Sequence, residues 1–376
     1  MKKYKIITLF GTRPEIIRLS SIINDFDKKF LHITVNTMQN YDVNLNKIFF
    51  SDLKIREPNY KIKLKEKNAV TFISKIIFEA NKIFLKEKPD AIFLLGDTNS
   101  ALTAISAKKN KIPIFHYEAG NRSFDSRVPE EINRKIVDHL SDVNLTYSEE
   151  SRNNLIREGM HPHNIFNVGG PLLEVYEKNK KKILNSNVMK KNSLKKDDFF
   201  VISFHRQENL SEKDIFNNFC KFIIYLEKKY KKKIIFSTHP RTYEKIKKIN
   251  KIKNSNLIKI LKPLSYTDYL NLQMNAKIVF SDSGTINEEA DLLNFKAINI
   301  RENHERHEAM TKGTTIMSGL EVDDLIKCTE YLLNEKNFFK NYDRVKDYKV
   351  NNVSQNISRI IISYINNINR NIWKKN

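Results

Sequence analysis

The stretch Ser281-Asp282-Ser283-Gly284-Thr285 carries the residue types that a phosphate group needs. It follows the short apolar run 278–280 and precedes the helix-like INEEADLL, so Ser283, Gly284 and Thr285 fall at a helix N-terminus. Free backbone N–H groups and the positive end of the helix dipole meet there, and both favour an anion. One turn further in, Glu288 and Glu289 could accept hydrogen bonds from ribose hydroxyls. Arg301 and Arg306, beyond the next apolar run 297–300, could neutralise a diphosphate. An ordinary capped helix would use the same turn residues, so nucleotide chemistry needs support from the rest of the chain. Arg13, Asp97 and Glu118 supply it, because each stands just past the end of a short apolar run: 5–10, 91–95 and 112–116. His205 and His239 likewise follow the runs 199–204 and 234–237, where an imidazole could face a phosphate; a structural role suits His239 equally well. Glu130 and Glu131 open a helix after Pro129, a place where carboxylates serve the helix dipole as readily as catalysis. His304 and His307 are three apart in HERHE and follow a strand, unlike the zinc-protease pattern, and neither cysteine is near a histidine cluster. No metal site is expected.

Such side chains converge only if the elements that carry them run side by side. Short apolar runs alternate with helical patterns along the whole chain, which predicts α/β architecture with parallel, doubly wound sheets. In such sheets the functional groups gather past the C-terminal ends of the strands. Gly11-Thr12-Arg13-Pro14-Glu15 turns from the first strand into a helix, with Pro14 in its first turn and Ile16, Ile17, Leu19, Ile22 and Ile23 at helical spacing. Further strands are expected at 32–36, 143–147, 165–168 and 257–261, and further helices at 70–85, 214–229, 266–274 and 322–333. The lysine- and asparagine-rich stretch 177–198 reads as a helix tail and linker, which puts a domain boundary near Pro171. The expected division is 1–170, 171–355 and a final segment 356–376. In that last segment Ile357, Ile360, Ile361, Tyr364, Ile365, Ile368 and Ile372 form one apolar face of a helix that should pack back on the first domain.

The 376 residues suffice for two domains, and 40% hydrophobic content supports real cores. The formal charge of +22 and pI near 9.6 raise the question of nucleic acid or membrane. The lysines are scattered among Asn and Ile, however, with no zinc-finger spacing, basic heptad helix or RNP-like aromatic pattern. A solvated basic surface and an anionic substrate account for the charge, and no nucleic-acid partner is expected. Cys220 and Cys328 lie far apart in apolar helical settings, as buried thiols in a reducing compartment would. The N-terminal MKKYKIITLF has too short an apolar core for a signal peptide, and no run reaches membrane-spanning length. A cytoplasmic protein without membrane association is the expectation.

Taken in order, GTRPE (11–15), GDT (96–98), HYEAGNR (116–122), PEEINR (129–134), HRQEN (205–209), HP (239–240), SDSGT (281–285) and HERHE (304–308) resemble the non-hydrolysing UDP-N-acetylglucosamine 2-epimerase family over nearly the whole chain. EAGNRSFDSRVPEEINRKIVDHLSD and SDSGTINEEADLLNFKAINIRENHER are further similar to its capsule and O-antigen branch, and that resemblance implies inversion of UDP-2-acetamido-2,6-dideoxy-L-talose to UDP-N-acetyl-L-fucosamine as the expected reaction, with UDP-N-acetylglucosamine to UDP-N-acetylmannosamine, or a glycosyl transfer, as the alternatives. The resemblance implies two Rossmann-like doubly wound domains facing a cleft, a glycosyltransferase-B-like fold. It implies elimination of UDP across C1–C2 to a 2-acetamidoglycal and re-addition after protonation from the other face, with no cofactor and no metal. By the same resemblance Asp97, Glu118 and Glu130 are the candidate acid and base, in either assignment. Arg13, His205 and Arg306 fall on diphosphate contacts, Ser283, Gly284 and Thr285 on the phosphate turn, Glu289 on the ribose contact and Tyr269 near the uracil. Arg18 stands where the family has lysine, Thr285 where the glucosamine enzymes have glycine, Leu264 at an often polar position and His307 in place of proline. TMQNYD (37–42) differs from the glutamine-histidine pattern tied to activation by a second nucleotide sugar. A homodimer is the expected assembly.

Overall fold

A computed structural model describes residues 3–39, 43–66, 68–206, 209–210, 212–238, 240–336, 338–340 and 342–375. Asn40, Tyr41 and Asp42 of TMQNYD, Gln207 and Glu208 of HRQEN, and His239 lie outside the described residues. The chain divides into two compact units, Met1–Lys178 with Lys346–Asn376, and Asn179–Val345. The divisions fall inside the helix Leu172–Leu184 and just before the turn Lys346–Lys349; the sequence expectation places them at 170/171 and 355/356.

The first unit is built on seven strands: β1 (Lys5–Phe10), β2 (Leu31–Asn36), β3 (Tyr60–Lys61), β4 (Ala91–Leu95), β5 (Ile114–Tyr117), β6 (Val143–Thr146) and β7 (Ile165–Asn167). They pair in the order β3-β2-β1-β4-β5-β6-β7, all parallel. Strands covered by helices on both faces need apolar side chains at every position, and Ala91 to Leu95 are all buried. One face packs Ile7, Leu9, Ile92 and Leu94 on Ile76 and Phe84 of the helix Ala69–Glu87. The helix Val353–Asn371 belongs to this unit: Ile357, Ile361, Ile365 and Ile368 are buried, and Ser358 Oγ donates to Asp25 Oδ2 of the helix Arg13–Lys29 at 2.6 Å. Ile372 falls just past that helix and is exposed, so it leaves the apolar face that its spacing suggests.

The second unit has six strands: β8 (Phe199–Ser203), β9 (Lys233–Ser237), β10 (Ile258–Leu261), β11 (Ile278–Ser281), β12 (Ala297–Asn299) and β13 (Ile316–Met317). They pair in the order β10-β9-β8-β11-β12-β13, again all parallel. Alternation along β8 serves both faces: Phe200 and Ile202 join Phe222, Phe236 and Phe280 on one side, Phe199 and Val201 join Ile235, Val279 and Ala297 on the other. Chain order reverses between β1 and β4 in the first sheet and between β8 and β11 in the second. At such a switch point the loops leaving the two strands diverge and open a crevice for a ligand. Both sheets are thus of the doubly wound type expected. Two short strands escape the sequence pattern, β3 and β13, each two residues at a sheet edge.

Candidate functional site

In the first unit the loops after β1, β4 and β5 carry the candidate residues. Gly11 follows β1 under close approach: a Cβ there would lie 2.1 Å from Thr37 Oγ1 and 2.5 Å from Ser100 Oγ. Thr12 then caps the helix Arg13–Lys29 in a capping box with Glu15. Glu15 Oε2 accepts from the N–H of Gly11 (3.0 Å), the N–H of Thr12 (2.8 Å) and Thr12 Oγ1 (2.8 Å), while Oε1 accepts from Thr98 Oγ1 (3.0 Å). This carboxyl therefore ties the turn of Arg13 to the turn of Asp97. Arg13 is half-buried, its guanidinium 5.9 Å from the centroid of the Phe49 ring.

Asp97 follows β4, half-buried, with Arg134 Nη2 2.6 Å from Oδ2. Asn133 Nδ2 donates to its backbone carbonyl at 2.9 Å. Glu118 follows β5, buried, with φ +69°, a left-handed conformation that is strained for a side chain of this size. Arg18 Nη1 lies 2.5 Å from Glu118 Oε2, and Tyr147 Oη donates to the same oxygen at 3.3 Å. Gly96, at φ +67°, lets this carboxylate lie against the backbone next to Asp97: a Cβ on Gly96 would be 3.3 Å from Glu118 Oε2. Asp97, Glu118 and Arg18 are thus brought together. Glu130 stands at the start of the helix that carries Arg134. It is exposed on the first turn of the helix Pro129–Leu140, while Glu131 is buried and accepts from Ser123 N–H (2.9 Å), Ser123 Oγ (3.0 Å), Phe124 N–H (3.2 Å) and Arg134 Nη1 (2.8 Å). Burial raises the Glu131 carboxyl, but these donors outweigh it and hold it below its ordinary value.

Glu15 is a residue that the motif reading passed over, although its Thr-x-x-Glu spacing is a capping signature. Burial pushes its carboxyl up to about 7 against the donors that surround it. The unfolded chain releases this proton near pH 4.5, the folded protein near 7. Across that window the folded state binds more protons, so stability falls as pH rises through it. At about 1.4 kcal/mol per pKa unit the effect is on the order of 3 kcal/mol. Glu15→Gln can accept with its oxygen and donate to Thr98 Oγ1, and it does not ionise. Urea unfolding is expected to find the variant more stable than wild type at pH 8, with the difference shrinking towards pH 5. A constant difference across that range would contradict the assignment.

In the second unit Asp282, just past β11, organises the switch point. Its buried Oδ2 accepts from the backbone N–H of His205 (2.9 Å) and of Arg206 (2.9 Å), and His205 Nδ1 lies 3.0 Å from Oδ1. Burial raises this carboxyl, but His205 and the Arg206 N–H hold it below the ordinary range. Asp282 was not singled out from sequence; its importance depends on β8 lying beside β11. The turn that follows has Ser283 N–H donating to Ser281 Oγ (3.1 Å) and Ser283 Oγ 3.0 Å from Thr285 Oγ1, ahead of the helix Ile286–Leu293. Gly284 has no room for a side chain: a Cβ would meet Glu305 Oε1 at 2.4 Å and the guanidinium nitrogens of Arg301 and Arg306 at 3.5 Å each. Arg306, 2% exposed, donates to the Gly284 carbonyl at 2.7 Å, and Arg301 Nη1 lies 3.0 Å from Glu305 Oε2. Burial and the nearby charge of Arg206 hold Arg301 below its ordinary value despite Glu305. Glu289 Oε2 accepts from Gln273 Nε2 at 3.0 Å, and burial together with the Glu289 charge raises the Tyr269 phenol. His304 is buried and pushed down to about 4, first by burial and then by His307, which suits its role as acceptor from the Arg306 N–H at 3.3 Å. Among the described residues no group of three His, Cys, Asp or Glu is placed to hold a metal ion.

Known proteins resemble the chain over nearly its whole length. The model of the family described as UDP-N-acetylglucosamine 2-epimerase matches residues 24–362. A protein of Methanocaldococcus jannaschii named UDP-N-acetylglucosamine 2-epimerase is 39% identical over 352 residues, covering 90% of this chain and 94% of its own. A structure of UDP-N-acetylglucosamine 2-epimerase from Rickettsia bellii superposes with a TM-score of 0.93 at 44% identity, over 99% of this chain and all of that one. The Methanocaldococcus jannaschii enzyme solved in complex with UDP-GlcNAc and UDP gives 0.88 at 37% identity, over 96% and 99%. Two parallel α/β units of the glycosyltransferase-B type, switch-point loops rich in carboxylates and arginines, and similarity over the whole length lead to one identification: the chain belongs to the UDP-N-acetylglucosamine 2-epimerase family and is an isomerase, a UDP-sugar 2-epimerase.

Proposed function

We propose that the protein interconverts UDP-N-acetylglucosamine and UDP-N-acetylmannosamine by eliminating and re-adding UDP. The observation that carries the chemistry is the buried Glu118 carboxylate packed against Gly96, beside Asp97, with Arg18 and Arg134 as their cations. The C2 proton of the sugar has no adjacent carbonyl to acidify it, so its removal needs a placed carboxylate and a stabilised leaving group. One carboxylate takes that proton; the C–H electron pair becomes the C1=C2 bond and the C1–O bond breaks, releasing UDP. A carboxylic acid then returns a proton to C2 from the opposite face, and a phosphate oxygen of UDP attacks C1. Asp97 and Glu118 carry these two proton transfers in this reading, with Glu130 as a third carboxylate recruited from the helix start. Arg13, Arg306 and His205 balance the diphosphate charge, while Ser283, Gly284 and Thr285 present the phosphate turn. Arg206 and Arg301 already repel one another there, so an anion would relieve them. Glu289 takes the ribose and Tyr269 lies towards the base.

Several relatives named for UDP-N-acetylglucosamine favour that substrate. A second reading, inversion of UDP-2-acetamido-2,6-dideoxy-L-talose for capsule or O-antigen synthesis, rests on the likeness in 118–142 and 281–306 and on Thr285 in place of glycine. A homodimer belongs to the same proposal. NMR of the purified protein with each UDP-sugar separates the readings. C2 inversion of UDP-N-acetylglucosamine without turnover of the talose compound is expected; the reverse outcome would replace the first substrate by the second. Release of free UDP only with an added acceptor would instead mark a glycosyltransferase.

A further inference from the structure

His116 and Asp138 stand directly behind the turns that carry Asp97 and Glu118. His116 lies on β5 and is fully buried; its Nδ1 is 2.8 Å from Asp138 Oδ1 and its Nε2 is 2.8 Å from the carbonyl oxygen of Gly96. A carbonyl can only accept, so Nε2 donates. Asp138, on the helix Pro129–Leu140, is also fully buried. Its other oxygen accepts from Arg122 Nη1 at 2.7 Å and from the Gly120 N–H at 3.2 Å. Burial raises this carboxyl, but His116 and Arg122 outweigh the effect and keep it below its ordinary value. An ionised carboxylate is acceptor-only, so His116 Nδ1 donates as well. Arg122 continues the chain through Nε and Nη2 to Glu158, each at 2.7 Å. Two cations and two anions alternate, so the chain as a whole is close to neutral, as buried charges require.

Building on the reaction proposed above, we propose that His116 and Asp138 are positioning residues for it: a buried imidazolium–carboxylate pair that fixes the two catalytic turns in one frame. His116 holds the carbonyl of the residue before Asp97. Asp138 holds Gly120, two residues after Glu118, while His116 stands two residues before it. The peptide plane leading into Asp97 and the left-handed backbone at Glu118 are therefore anchored to the same two side chains. Loss of this anchorage should act on turnover more than on nucleotide binding, because a displacement of about 1 Å at reacting groups can cost about 10²-fold.

The test pairs a spectrum with kinetics. With ¹⁵N-labelled histidine, wild-type protein at neutral pH is expected to show two imidazole N–H resonances from a single histidine, both slow to exchange with solvent. Asp138→Asn should remove or shift both, and should lower kcat by up to about 10²-fold with KM and UDP affinity changed by less than about threefold. Finding no histidine with two protected N–H resonances overturns the pair even if the variant fails to fold. So does an Asp138→Asn enzyme with wild-type kcat. If wild type epimerises no UDP-sugar at all, the function reading fails instead, and the resonances still decide the pair.

Discussion

Asp97→Asn and Glu118→Gln are each expected to lower turnover by about 10²- to 10⁴-fold, the range supplied by a placed acid or base, while UDP affinity stays within about threefold of wild type. Both substitutions keep shape and remove the ability to exchange a proton. The amide oxygen introduced at position 97 can still accept from Arg134, and the one at position 118 from Arg18 and Tyr147; the long donation from Asn121 Nδ2 to Glu118 Oε1, at 3.4 Å, is lost. Neither side chain belongs to the phosphate turn, whose groups lie after β8 and β11. Turnover by single-turnover kinetics and UDP affinity by calorimetry separate the two outcomes. A variant that loses UDP binding in parallel with turnover would make its carboxylate a structural or nucleotide-holding group, and the acid–base assignment would then move to Glu130.

The second large effect is expected at Arg306. Arg306→Gln should weaken UDP binding about 10- to 100-fold, since a hydrogen bond to a charged group contributes about 1.5–3 kcal/mol. Glutamine ends two bonds short of Nη1, so the donation to the Gly284 carbonyl at 2.7 Å is lost with the charge, and thermal stability has to be read beside UDP affinity. If thermal stability falls while UDP affinity is unchanged, Arg306 is only a brace for the turn, and the cationic task rests on Arg301 and Arg206.

Much of this was legible in the sequence because the strands are buried on both faces. A strand such as β4 must then be apolar throughout, and the polar residues that end it mark the turn. Where that pressure is absent the pattern fails: Tyr60–Lys61 and Ile316–Met317 are edge pairs with no apolar run to show them. The ends of elements are set by local turns. Pro113 and the turn bond from Ile112 N–H to Ala107 O delay β5 to Ile114, and Glu118 consequently falls just past the strand, beside Gly96. PEEINR could not say which glutamate turns inward, since neighbours on a helix point about 100° apart; Glu131 is buried and Glu130 faces solvent. Glu15, Asp138 and Asp282 act through partners that are distant in sequence or on another strand, such as Thr98, His116 and His205, and no spacing rule reveals those pairs.

The most direct measurement runs the reaction on UDP-N-acetylglucosamine in deuterium oxide and reads C2 of both sugars by NMR. Proton abstraction and return through Asp97 and Glu118 predicts one deuterium at C2 of every product molecule, in step with inversion. An inverted product that keeps its original hydrogen at C2 would contradict the account.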